Sequence, residues 1–183
     1  MSEFFAWPTM FVLIGLPASG KTTMARQMAT ERDALRLTPD EWMIPLFGDP
    51  QPEGKRDILE GRLVWLSLCA LKRGVNVVMD FGVWAKDERS ALRYLAASVG
   101  ASCELLYVEV DEEENVRRLN GRPIGADVST FDISVDDLAK YRDFFQVPTS
   151  TELNLEILDD PPSGFPNWES WAQDRWPGLM TEC

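Results

Sequence analysis

Histidine is absent from all 183 residues. A Ser-His-Asp triad, a Cys-His dyad, an HExxH zinc site and a histidine general base are therefore excluded. Any proton transfer falls to a carboxylate, Lys, Tyr or Cys. Cysteine is scarce. Cys69, Cys103 and Cys183 are far apart, odd in number and without CxxC spacing. That pattern predicts buried or free thiols in a reducing compartment, with no disulfide framework and no zinc site. Positive charge is short as well: 18 Lys+Arg stand against 30 Asp+Glu, a formal net charge of −12. A partner bound through a phosphate backbone needs a basic surface. The balance weighs against nucleic acid and towards a small-molecule partner, although a local basic groove can sit on an acidic body. No apolar run is long enough to span a bilayer. The opening MSEFFAWPTMFVLIGLP has no Lys or Arg before Lys21 and is broken by Pro8 and Pro17. It reads as a buried strand and not as a signal peptide, which predicts a cytoplasmic protein with no membrane partner.

What is present suits one globular domain over residues 1–183, since 45% apolar residues can fill a sizeable core. Met10–Ile14 is a continuous apolar run, as in a strand buried on both faces. Further strands are predicted at Leu35–Thr38, Val75–Met79, Cys103–Val110 and Leu153–Leu158. Between them, helices are predicted over Lys21–Arg32, Lys55–Arg73, Asp87–Val99, Asp111–Asn120 and Ser134–Phe145. Strands alternating with helices argue for a parallel sheet wrapped by helices. The tail of residues 159–183 is rich in Pro, Trp and acid, and reads as a surface-packed extension without a functional signal.

The chemistry is concentrated at Gly15-Leu16-Pro17-Ala18-Ser19-Gly20-Lys21-Thr22, which matches GxxxxGK[ST] between an apolar strand and a helix. Gly15 and Gly20 permit the backbone angles that turn successive N–H groups around an anion. The helix N-terminus adds partial positive charge. Lys21 is expected at the β- and γ-phosphates and the Thr22 hydroxyl at Mg²⁺. Pro17, Ala18, Ser19 and Thr23 complete the expected nucleotide cradle. Two carboxylates follow strands, and ligands of open α/β sheets lie at the carboxyl ends of strands. Asp80 directly follows VNVVM and is expected to hold Mg²⁺. Asp40 is the candidate general base, with a plain helix N-cap as the competing reading. Asp80-Phe81-Gly82 spells the protein-kinase tripeptide, but a protein-kinase catalytic loop requires a histidine. Arg117, Arg118 and Arg122 precede Pro123-Ile124-Gly125, a hinge-like segment. Arginines there can close over a nucleotide and neutralise charge on a transferred phosphoryl group. The alternative is a solvated helix face paired with Glu113 and Glu114. Trp42, Met43, Phe47, Trp65 and Trp84 are candidates for an acceptor pocket or for ordinary core packing.

Several blocks together resemble the P-loop kinases of the polynucleotide-kinase and zeta-toxin-like group, which includes chloramphenicol phosphotransferase. They are GLPASGKTTMARQMA, LTPDEWM, VVMDFGVWAKDER, VRRLNGRP and TFDISVDDLAKYRDFFQVPTSTEL. The resemblance implies an α/β, three-layer P-loop NTPase fold with a parallel five-stranded sheet and helices on both faces. It implies an arginine-bearing lid over about residues 112–130, with Arg118 and Arg122 catalytic, and Asp40 as base. It implies transfer of the ATP γ-phosphoryl group to a hydroxyl. Polynucleotide kinases of this group carry an arginine three residues after that aspartate, to hold the acceptor's 3′-phosphate; here the position is Met43.

The expectation is therefore an ATP- and Mg²⁺-dependent phosphotransferase acting on a small hydroxylated acceptor. A polynucleotide 5′-hydroxyl kinase and a nucleotide-binding regulatory module with little catalysis are the alternatives. Neither the acceptor, nor ATP over GTP, nor the oligomeric state is legible in the sequence.

Overall fold

The computed structural model describes residues 7–49, 52–121, 133–180 and 182–183. Its centre is a parallel sheet of four strands in the order β2-β3-β1-β4. These are β1 (Thr9–Ile14), β2 (Ala34–Leu37), β3 (Asn76–Met79) and β4 (Ser102–Tyr107). The apolar run of β1 is why it lies centrally: both of its faces are covered. Met10, Val12 and Ile14 point into the main core with Val77, Met79 and Leu105. Phe11 and Leu13 point the other way and pack with Val78 and Ala25.

Helix α1 (Lys21–Glu31) covers that second face. Helices α3 (Lys55–Leu71) and α4 (Lys86–Ser98) cover the first. Helix α2 (Asp40–Phe47) follows β2, and α5 (Glu112–Asn120) follows β4. The first turn of α5 is acidic, Asp111 caps it, and Arg117 and Arg118 end it, which suits the helix dipole. Helix α6 (Val135–Phe144) is capped by Ser134 in a capping box with Asp137. Leu119 and Leu138 bury Leu16 and Ala18, so α5 and α6 pack against the loop after β1.

Three expectations are corrected. Leu153–Leu158 is not a fifth strand. Helix α7 (Ser150–Leu153) occupies its start, and Leu155 has φ +58°. The alternation of apolar and polar residues there suggested a half-buried strand, but Ile157 stays 62% exposed. The segment is held instead by the buried ion pair of Glu152 with Arg89, whose Nη2 donates to Oε2 at 3.2 Å. Second, the tail is no surface layer. Helix α8 (Trp168–Arg175) and the residues after it place Trp168, Ala172, Trp176 and Leu179 in the main core. Third, Cys69 and Cys183 are joined in a disulfide, with Cα atoms 5.4 Å apart. Spacing along a chain carries no information about contacts made by a tail that folds back. Cys103 is free and buried, and burial pushes its thiol up to about 12. No helix among the described residues is long and apolar enough to cross a membrane.

Candidate active site

Between β1 and α1 the chain turns through Gly15–Gly20. A Cβ on Gly15 would lie 2.9 Å from both the Ser19 Oγ and the Val108 carbonyl oxygen, so only glycine fits. Gly20 has φ +108°, in the region that favours glycine. The Lys21 Nζ folds back and donates to the Leu16 carbonyl at 2.7 Å. The Ser19 Oγ is buried and accepts or donates no hydrogen bond among the described residues. An orphaned buried hydroxyl inside this glycine-turned loop marks a place for a polar ligand.

The loop forms one end of a cleft of about 1100 Å³. Pro17, Ala18, Gly20, Lys21, Thr22 and Thr23 line it. Asp40 and Asp80 line it too, as the carboxyl-end rule predicts. Asp40 is the first residue of α2. Its carboxylate caps nothing and instead accepts from Arg56 Nη2 at 2.9 Å. That removes the N-cap alternative. Asp80 is buried at the end of β3, and Arg36 Nε and Nη2 reach its Oδ2 at 3.0 and 2.9 Å. Burial raises the Asp80 carboxyl above the usual range, while Arg36 pulls it down. Thr22 and Asp80 offer oxygen donors of the kind Mg²⁺ takes alongside phosphate oxygens. No group of three or more acidic or cysteine side chains among the described residues could hold a metal by itself. The donor set fits a cation shared with a nucleotide.

The arginines expected on a lid separate. Arg118 Nη1 donates to the Ser19 carbonyl at 2.7 Å, which brings it onto the loop. Arg117 points to solvent and pairs with Glu114. Arg122 lies outside the described residues. Of the aromatic candidates, Trp84 lines the cleft and donates from Nε1 to the Gly15 carbonyl at 3.2 Å. Met43 is fully buried core. Trp42 and Phe47 are exposed and outside the lining, and Trp65 packs against the main core.

Sequence reasoning missed six polar residues here. Asn115 Nδ2 donates to the Pro17 carbonyl at 2.7 Å and ties α5 to the loop. Arg36 was signalled only by a charge inside an otherwise apolar strand. Arg56, Glu60 and Glu88 carried no signal beyond their helices. Arg56 bridges Asp40 and Glu60, and burial raises the Glu60 carboxyl. Arg175, the single base of the acidic tail, reaches Asp57 at 2.7 Å and Glu88 at 2.7 Å.

The sequence pattern of the AAA domain family matches residues 10–148, a span that holds the loop, Asp40, Asp80 and α5. The chain belongs to the AAA domain family. A probable adenylyl-sulfate kinase of Aeropyrum pernix is 24% identical over 150 residues, covering 79% of this chain and 80% of that protein. A kinase-like protein from Chloroflexus aurantiacus matches with a TM-score of 0.61 and 17% identity, over 91% of this chain and 93% of that one. Kti12 of Chaetomium thermophilum, solved with ADP-AlF3, matches with a TM-score of 0.56 and 21% identity, over 76% and 81%. The fold of this AAA domain is thus that of the P-loop kinases, with a four-stranded sheet among the described residues. Arg175 lies beyond the matched span of the family.

Proposed function

We propose that this P-loop kinase is an ATP- and Mg²⁺-dependent phosphotransferase that moves the γ-phosphoryl group to a hydroxyl of a small-molecule acceptor. The observation that carries this reading is that Asp40, Lys21 and residues of the glycine loop line one cleft. Lys21 and the loop amides hold the phosphates. The acceptor hydroxyl oxygen forms a bond to the γ-phosphorus as the bond to the β–γ bridging oxygen breaks. ADP leaves, and Asp40 takes the hydroxyl proton. Thr22 and Asp80 would hold Mg²⁺, which neutralises phosphate charge when bound. Arg118, already against the loop, adds positive charge where it develops, and Arg122 is the second lid arginine of the proposal. Use of ATP also supports a cytoplasmic location.

Two features favour a small molecule over a polynucleotide. The net charge is −12, and Met43 is buried where a phosphate-reading arginine would have to reach out. The test is Asp40→Asn, assayed for ATP binding and for transfer of labelled γ-phosphate into a metabolite extract. ATP binding should persist while transfer falls by about 10²–10⁴-fold. Transfer at the parent rate would remove Asp40 from the mechanism. Lys21→Ala should lose ATP binding itself.

A further inference from the structure

The phosphate loop is held from outside at every second residue. The Gly15 carbonyl accepts from Trp84 Nε1 at 3.2 Å, the Pro17 carbonyl from Asn115 Nδ2 at 2.7 Å, and the Ser19 carbonyl from Arg118 Nη1 at 2.7 Å. The Leu16 carbonyl is taken from within, by the Ser19 amide at 3.2 Å and Lys21 Nζ at 2.7 Å. Of the three outside donors, Trp84 is the one set by a rigid local frame. Its amide donates to Glu88 Oε2 at 3.2 Å, and its carbonyl accepts from Arg89 Nη1 at 2.9 Å and from the Gln146 amide at 3.1 Å. Its ring packs on Tyr141, with centroids 5.0 Å apart. Gly82 makes room for it. A Cβ there would lie 2.9 Å from Trp84 Nε1 and 3.2 Å from Cε2, so a side chain would push the indole off Gly15. The Gly82 backbone is outside the left-handed region, so alanine there meets the indole and no backbone strain.

We propose that Trp84 is a positioning residue for the phosphate loop: its indole N–H fixes the Gly15 peptide in the shape that receives a polyphosphate, and Gly82 is the residue that permits it. The inference rests on the reading of this loop as the phosphate site and adds two residues to it. A loop that carries Gly15 and Gly20 loses much conformational freedom when it is ordered. A donor from the β3–α4 connection places that loss in folding and leaves less of it to ligand binding. Removing the N–H leaves the Gly15 carbonyl without this partner and the loop freer before it binds. Trp84 also lines the cleft, so its ring is in reach of a bound molecule. Stacking on a ring and holding the loop are separable, because a ligand made of phosphate alone feels only the second.

The experiment titrates the wild-type protein and Trp84→Phe with ATP and with inorganic tripolyphosphate, both with Mg²⁺, in a calorimeter. Phenylalanine keeps a ring and removes the N–H. The Kd should rise about three- to tenfold for both ligands. Titrations are made without denaturant, where lost stability alone leaves folded protein and an unchanged Kd. Gly82→Ala is the second variant and carries the test if Trp84→Phe does not fold. It should weaken both ligands to a similar degree, and the double variant should be little weaker than either single one, since both changes remove the same contact. Parent-like Kd values in the variants overturn the inference and leave the phosphate loop standing. Weakening of ATP alone, or a parent that binds ATP but not tripolyphosphate, places the affinity in the nucleoside and overturns it too. A wild-type protein that binds neither ligand overturns the phosphate loop itself.

Discussion

Glu114 accepts hydrogen bonds from Arg117 and Arg118, and these hold its carboxyl down at about 2, well below the usual glutamate value of 4.5. A carboxyl lowered on folding contributes stability that is full above the unfolded value and is lost as pH falls through the folded one. Glu114→Gln should therefore lower the urea midpoint at about pH 6, and the difference from the parent should close between about pH 4.5 and pH 2. A gap that stays constant with pH would show that the two arginines do not bind the carboxylate in solution. The same residue positions Arg118, whose Nη1 reaches the Ser19 carbonyl. At this scale the loop residues were legible, because GxxxxGK[ST] has one dominant use. Asp40 was also legible, but its partner was not. Arg56 lies sixteen positions along, and nothing in the residues between requires the two side chains to meet.

At the scale of elements, the tail docks on α3 through two glycines. A Cβ on Gly178 would lie 2.0 Å from the Ile58 carbonyl oxygen, and one on Gly61 would lie 2.6 Å from the Leu179 nitrogen. Both obstacles are backbone, so a side chain cannot be accommodated by a rotamer change. Gly178→Ala should cost about 1–3 kcal/mol in urea unfolding, with the tryptophan signal of α8 altered in the folded state. A variant as stable as its parent would place the tail elsewhere. The strands and most helices were legible from apolar runs and 3.6-residue periodicity. The failures have separate causes. Leu153–Leu158 carried a strand-like alternation, but the Arg89–Glu152 pair decided the local path. Helix α2 was signalled only through the N-cap alternative at Asp40, because it is short and contains Pro45, which reads as a breaker.

For the molecule as a whole, the disulfide closes a span of 114 residues, and Trp65 Nε1 donates to the Glu182 carbonyl at 2.7 Å beside it. A cross-link of that span restricts the unfolded chain strongly, by about 4–5 kcal/mol in the loop-entropy account and about 2–4 kcal/mol in common measurement. Cys183→Ser should accordingly unfold at lower urea than the oxidised parent, and the two should coincide once the parent is reduced. Equal midpoints under oxidising conditions would mean that the bond does not form. The bond also bears on the cleft, since the helix it anchors delivers Arg175.

The sequence by itself determined the phosphate loop, the parallel α/β plan and the two strand-end aspartates, because each is encoded by residues close together in the chain. Only the tertiary structure decided the pairing of Asp80 with Arg36, of Arg175 with Asp57 and of Cys69 with Cys183, and with them the place of the tail in the core. Those pairs join residues 44, 118 and 114 positions apart. They depend on which faces the helices bury against the sheet, and local periodicity cannot express that choice.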